Sequence, residues 1–339
     1  MQKYKWFIVV AVLAVALFAL TGCGGGEADT GKDGAVKLGM ATMEVGTGYY
    51  NYGSIFSEKI REALPEGSSV DVLPYSGAIG NVKMVSVGEE AQIALTSPFL
   101  VKWAQEGILA FEGEKLDNVR LLVAGLDTYF FAPIARKDAP FNSLKEIADK
   151  QMKVNLATQK PGSLGDYGGK LVLEAYGLTH EKIKEWGGKA EMNDQQVIAD
   201  DMRNGRIDFD LEYFNLGHPA VTELATQTDV KFLSLEPEII DMLCEQYGFE
   251  PVTLPAGSFP GQDEDVQLVG GSSAVITNTD LPDDIAYAIT KALVENHEYF
   301  KENLKALNQF TPERAVQFTA DIPFHPGAEK YLKEAGLLE

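Results

Sequence analysis

Four short loops carry the residue types that hold a small anion. They are Glu44-Val45-Gly46-Thr47-Gly48-Tyr49-Tyr50, Ser76-Gly77-Ala78-Ile79-Gly80-Asn81, Thr96-Ser97-Pro98, and Thr158-Gln159-Lys160-Pro161-Gly162-Ser163-Leu164-Gly165. Each follows a strand-like run and feeds a helix-like one, the place where open α/β sheets bind ligands. Glycine lets a ligand approach the backbone, and hydroxyls add donors that can be oriented. The free N–H groups of a helix start suit a carboxylate or phosphate. Candidate ligand contacts are Thr47, Gly48, Tyr49, Ser76, Asn81, Thr96 and Ser97, joined later in the chain by Ser163, Asp166, Tyr213 and Asn215. The plainer alternative is that these residues only make turns and caps.

Arg136 is a candidate partner for a ligand carboxylate, or else pairs with a neighbouring acid. Asp208, Asp210 and Glu212 alternate along one segment, as a cation site or as a solvated strand edge. Signs of catalysis are poor. A phosphate-cradling loop ending at Gly169-Lys170 would need glycine at 164 and a hydroxyl at 171, and both are leucine. The four histidines form no metal-binding spacing, and no Gly-x-Ser-x-Gly elbow occurs. The expectation is a protein without enzymatic activity, catalytic residues, metal or cofactor.

The elements that must position these loops alternate. Strands are expected over 36–43, 70–75, 91–95, 119–123, 129–134, 153–157 and 207–213. Tyr52, Ile55, Phe56, Ile60, Ala63 and Leu64 recur at helical spacing. Further helices are expected over 79–87, near 168–176 and over 197–203. Ser143 with Glu146 reads as a capping box, and Ile285, Ile289, Ala292 and Leu293 mark a late helix. Thr311-Pro312-Glu313 reads as the start of another. Such alternation implies parallel sheets covered by helices. Two similar segments, 121–140 and 268–282, read as outgoing and returning crossings between two lobes. Lobe one is expected over 35–130 plus 275–339, and lobe two over 131–274.

The start of the chain speaks of location. Lys3 and Lys5 precede an apolar run from Trp6 to Leu20, then Leu20-Thr21-Gly22-Cys23. At about 15 residues the run is short for a membrane span. It reads as a signal peptide over 1–22. Leu-Thr-Gly-Cys resembles the bacterial lipobox, which makes Cys23 the lipidated first residue of an exported, membrane-tethered protein. Residues 23–34 are Gly-rich and polar, as a flexible spacer would be. The whole chain carries a net charge of −21. That field argues against nucleic acid, though not against a small anion held by local dipoles. Cys244, the remaining cysteine, sits in an apolar stretch and is expected to pack in the core.

The loops also carry a resemblance. Gly46-Thr47-Gly48-Tyr49-Tyr50-Asn51-Tyr52-Gly53, Ser76–Asn81, Lys160–Gly165, Pro255-Ala256-Gly257-Ser258-Phe259-Pro260-Gly261-Gln262, Leu281–Leu293 and His325-Pro326-Gly327-Ala328 together resemble the TAXI family. Those are extracytoplasmic solute receptors of tripartite ATP-independent periplasmic (TRAP) transporters. Departures from the family pattern fall in the loops, at Thr47, Gly48, Ala78, Ile79, Leu164 and Asp166, and in the acidic segment 210–219.

The resemblance implies a two-lobed α/β fold of the periplasmic-binding type II kind, each lobe a mainly parallel sheet flanked by helices. It implies a monomer that captures a small carboxylate-containing solute, a glutamate-like amino acid or an organic acid. The lobes would hinge near 124–136 and 268–278 and deliver the solute to membrane permease subunits. The alternatives are a receptor for an ABC importer or a sensor kinase, and a secreted enzyme.

Overall fold

The computed structural model describes residues 34–75 and 77–339. The expected signal peptide, Cys23, nearly all of the expected spacer and Ser76 therefore lie outside the described residues. The strands, in chain order, are β1 Lys37–Ala41, β2 Ser69–Leu73, β3 Ile93–Thr96, β4 Val119–Val123, β5 Tyr129–Arg136, β6 Asn155–Gln159, β7 Lys189–Asn193, β8 Phe209–Asn215, β9 Val230–Phe232, β10 Glu250–Leu254, β11 Val266–Gly271 and β12 Ala274–Asn278. Among the described residues they form two sheets, ordered β2-β1-β3-β12-β4 and β10-β11-β5-β8-β6-β7, with β9 also paired to β5. Helices flank both, giving a two-lobed α/β fold.

One expectation needs correction: the sheets are mixed, not mainly parallel. β1 runs parallel to β2 and β3, and β6 parallel to β7 and β8. The strands next to the crossings run the other way. β12 is antiparallel to β3 and β4, and β5 is antiparallel to β8, β9 and β11. A chain that leaves one sheet at 123 and re-enters it at 274 arrives pointing backwards. Every residue of β12 is buried, and its continuous Ala-Val-Ile run suits a strand covered on both faces.

The helix Gly48–Ala63 shows why sequence spacing works. Tyr49, Tyr52, Phe56 and Ile60 fall on one buried stripe. Phe56 meets Phe300 edge to face, with ring centroids 4.7 Å apart. Burying each such side chain contributes about 1.5–3 kcal/mol. Pro65 follows and stops the helix at Leu64.

The helix Leu164–Ala175 starts earlier than its apolar periodicity suggests, because Ser163 caps it by accepting from Asp166 N at 3.1 Å. Gly168 lets this helix sit directly on the second sheet. A Cβ there would lie 2.2 Å from the Phe131 ring.

The helix expected from Thr311 is only a short 3-10 turn, Arg314–Val316. Thr311 Oγ1 does accept from Arg314 N at 3.3 Å. Phe318, Ala320 and Asp321 then adopt positive φ, which no helix continues through.

Candidate functional site

A cavity of about 510 Å3 opens between the two sheets. Among the described residues, five helices begin on its wall. Their N-cap residues are Thr47, Gly77, Ser163, Asp194 and His218, ahead of the helices Gly48–Ala63, Ala78–Val87, Leu164–Ala175, Gln195–Arg203 and Pro219–Gln227. The first turn of a helix has N–H groups with no partner inside the helix. Thr47 and Ser163 each satisfy one of these, from Tyr50 N and Asp166 N. Gly77, Asp194 and His218 provide no side-chain cap bond. Each helix start carries roughly half a positive charge. The arrangement can therefore hold an anion on main-chain donors alone.

The one cationic side chain on this wall, among the described residues, is Lys160. Its Nζ pairs with Asp194 at 2.6 Å, and both groups are largely exposed. The pair is neutral overall, which leaves the helix starts as the main source of positive potential. His218 also lines the wall, with an unpartnered Nδ1. Burial lowers its pKa, favouring the neutral ring.

Tyr49, Tyr129 and Tyr213 form the aromatic part of the cavity. The Tyr129 and Tyr213 rings stack with centroids 4.9 Å apart, and Phe131 backs Tyr213 at 4.4 Å. Burial, and then the charge of Asp127, hold the Tyr49 hydroxyl above the ordinary tyrosine range. Tyr129 is held up by the same causes, and Tyr213 chiefly by burial. All three hydroxyls therefore stay protonated and able to donate. The Ser97 hydroxyl faces Tyr49 and Tyr213 without a well-formed bond to either.

Behind Tyr49 lies a buried network at the crossings. Tyr49 OH is 3.2 Å from Ser273 Oγ. Asp127 accepts from Tyr52 OH at 2.8 Å, Ser273 N at 2.8 Å and Ser273 Oγ at 3.0 Å. The Arg314 guanidinium donates to Gly125 O, Asp127 O and Thr128 Oγ1.

A family model described as the NMT1-like family matches residues 40–336. The chain belongs to the NMT1-like family. Its trace is similar to that of XAC2383 from Xanthomonas citri bound to ATP. The two are 13% identical over 89% of this chain and 96% of that one, with a TM-score of 0.50. A TctC solute binding protein from Polaromonas is 14% identical over 89% of this chain and 97% of that one, at 0.49. MatC from Rhodopseudomonas palustris with bound malate is 14% identical over 89% and 99%, at 0.47.

In this NMT1-like chain the candidate residues divide into three groups. Thr47, Gly48, Tyr49, Ser163 and Tyr213 line the cavity. Asn81, Thr96, Ser97 and Asp166 are buried and off the lining. Asn81 Nδ2 donates to Leu95 O at 2.7 Å, and Thr96 Oγ1 donates to Ala78 O at 3.0 Å. Asp166 accepts from Gly162 N at 2.9 Å and pairs with Lys170 at 2.8 Å. Asn81, Thr96 and Asp166 thus hold the loops that present the helix starts. Asn215 lines a neighbouring cavity of about 480 Å3, which shares His218 with the first. Arg136 ends β5, at the opposite end from Tyr129, and grips Asp138 at 2.5 Å, so it is spent on that acid and lies off the lining.

Several lining residues escaped sequence reasoning. Asn193 ends β7, and Asp194 and Gln195 follow it; the Lys-Ala-Glu-Met-Asn sequence alternates but lacks the β-branched and aromatic residues that announce a strand. His218 did carry a signal, since Pro219 after it marks a first helical residue. Gln159 and Tyr129 sit at strand ends and had only position to recommend them.

Among the described residues, no helix is long and apolar enough to cross a membrane, and no cluster of His, Cys, Asp and Glu could hold a metal ion. Cys244 is a free, half-buried thiol whose pKa burial pushes up to about 12, so it is protonated and unreactive at neutral pH.

Proposed function

We propose that this NMT1-like protein is a solute receptor that binds a small carboxylate-containing molecule in the cavity between its lobes and leaves it chemically unchanged. One observation carries the reading: five helix starts, from both lobes, converge on a cavity of about 510 Å3. That size suits a small ligand. Helix starts bind anions through N–H groups and dipole together, and exclusion of water strengthens each bond. Protonated tyrosine hydroxyls add donors, and the stacked Tyr129–Tyr213 pair gives an apolar face for a carbon skeleton.

The finer reading follows the motifs. Their order along the chain favours a TAXI-type receptor, exported, tethered through Cys23 and delivering a glutamate-like amino acid or an organic acid to TRAP permease subunits. Residues 124–128 and 272–273 link the two sheets and are the natural hinge. A receptor for an ABC importer or a sensor kinase would use the same cavity. A neighbouring gene for a large multi-spanning permease separates these.

The test is a thermal-shift panel of amino acids and organic acids, followed by small-angle scattering with the best binder. A true solute at a hundredfold excess over Kd stabilises by about 2.7 kcal/mol. The expected result is a raised Tm and a more compact scattering profile, with the solute recovered intact. No response from any acid, or recovery of an altered molecule, overturns the reading.

A further inference from the structure

Two acids are buried beneath the cavity wall. Asp210 and Glu212 are 1% and 3% exposed. Two residues apart on β8, they point to the same face of the sheet. Glu212 Oε2 accepts from Gln159 Nε2 at 2.6 Å and from Gln195 Nε2 at 2.7 Å. Both glutamines line the main cavity, one ending β6 and the other opening the helix Gln195–Arg203. Neither oxygen of Asp210 has a partner outside the acid pair. On the far side the two acids meet a cavity of about 10 Å3, closed by Gln195, Ala199, Ala220, Val221 and Leu224. That is room for about one water molecule, and it lacks the number of oxygen ligands that a hard cation takes.

Two carboxylates in such a place would repel each other and leave Asp210 with no donor to accept from. One proton resolves both problems, because a protonated Asp210 donates to the second oxygen of Glu212. The other charged groups on this face are engaged or exposed: Asp208, just before β8, accepts from Asn155 N, Arg136 at the end of β5 pairs with Asp138, and Glu191 on β7, beyond Ala157, is exposed. β5 places Ile134 and Ala132 opposite the two acids, and β6 places Ala157 beside Asp210. On the helix Gln195–Arg203, Asp200 pairs with Arg203, and Asp201 pairs with Arg206 beyond the helix end. Its N-cap Asp194 pairs with Lys160. On the helix Pro219–Gln227, Glu223 is exposed and bonded to Gln227, and His218 sits at the start, on the main cavity.

We propose that Asp210 and Glu212 hold one proton between them, and that this acid pair is a positioning element of the solute site, fixing the amides of Gln159 and Gln195 on the cavity wall. A carboxylate only accepts, so Glu212 dictates that both amides turn Nε2 toward it and their carbonyl ends away. For Gln159 that end lies on Gly165, where a Cβ would come within 1.7 Å of Oε1. Glycine at this helix start leaves the amide its place. Loss of the shared proton would put a second charge behind the wall, against an anionic solute. Burial, then repulsion from Glu212, keeps Asp210 protonated well above the ordinary carboxylate range. The binding readout of this inference rests on the solute-receptor reading; the proton itself does not.

The test has a part without ligand and a part with one. Infrared difference spectra of the purified protein, wild type against Asp210→Asn, are expected to show a carboxylic C=O band at neutral pH that the variant lacks. Absence of the band overturns the proposal.

L-glutamate and malate are then titrated across neutral to alkaline pH. Wild type is expected to lose at least tenfold in affinity as the second carboxyl ionises. Asp210→Asn, whose amide donates permanently, stays within threefold at neutral pH and shows no such loss. Glu212→Gln binds at least tenfold more weakly with an unchanged circular dichroism spectrum. Should Glu212→Gln not fold, Gln195→Met tests the same contact, with an expected loss of at least fivefold and the infrared band kept. An alkaline loss shared by Asp210→Asn, or full affinity in the Glu212 or Gln195 variant, overturns the positioning role. If neither probe binds wild type, the solute reading fails for these acids. The pair is then judged on the infrared band and on whether Glu212→Gln shifts the side-chain amide NMR signals of Gln159 and Gln195.

Discussion

Ser273 closes on Asp127 twice, its N–H on one carboxylate oxygen at 2.8 Å and its Oγ on the other at 3.0 Å. The two residues belong to opposite crossings between the sheets, so this small ring ties together the two strands of chain that join the lobes. Tyr52 adds a third donor at 2.8 Å, and the Arg314 guanidinium holds the Asp127 carbonyl. Tyr49, on the cavity wall, reaches the same ring through Ser273. The site and the junction therefore share one buried network.

Removing the acid at its centre should be costly. Asp127→Ala leaves three buried donors without an acceptor, and is expected to cost about 3–5 kcal/mol. Urea unfolding of the variant measures this directly. A loss below about 1 kcal/mol would mean that the network is not the clamp described.

Phe56→Ala tests the apolar side of the first lobe. It opens a hole beside Phe300 and should cost about 3–5 kcal/mol without altering the cavity between the lobes. Thermal denaturation gives the stability, and solute titration gives the control.

Gly77 has φ 94° and ψ 151°, a conformation that side chains avoid, at a helix start on the cavity wall. Gly77→Ala should cost about 1–3 kcal/mol through backbone strain alone. It should also weaken solute binding, since relief of the strain moves the N–H groups of that helix start. A variant with wild-type Tm and wild-type affinity would contradict both expectations.

The dependence of stability on pH has a definite sign. Asp210 keeps its proton in the folded state well above its ordinary value of 3.8, whereas the unfolded chain sheds it near that value. Unfolding then releases a proton, so stability falls as pH rises above that value toward the native one. Asp210→Asn should flatten this fall. His218 acts in the opposite sense. Burial lowers its pKa, so its contribution is present above about 6.5 and is lost as pH falls below. Chemical denaturation at a series of pH values, for wild type and Asp210→Asn, separates the two.

Much of the scaffold was legible because its signals are local. The buried stripe of Gly48–Ala63, the Ser143–Glu146 cap and the apolar run of β4 each follow from neighbouring residues. Sheet direction was not, because it depends on where the chain re-enters after 150 residues or so, as β12 does. The site divided along the same line. Thr47 and Ser163 announced themselves as caps ahead of helices. Gln159 and Gln195 acquire their meaning only from Glu212, which lies 53 residues from one and 17 from the other. Arg136 stood open in the sequence between a ligand carboxylate and a neighbouring acid, and Asp138, two residues on, is the acid it takes.

Of the five helix starts, two rise from the first sheet and three from the second. A grip divided in this way exists in full only while the halves are together. Part them, and each retains a fraction of the pull, in contact with water that competes for the same charge. Uptake and discharge would then need no chemistry and no dedicated latch. If the proposed attraction resides in peptide groups, exchanging the surrounding side chains would change which cargo fits without dismantling what draws it in.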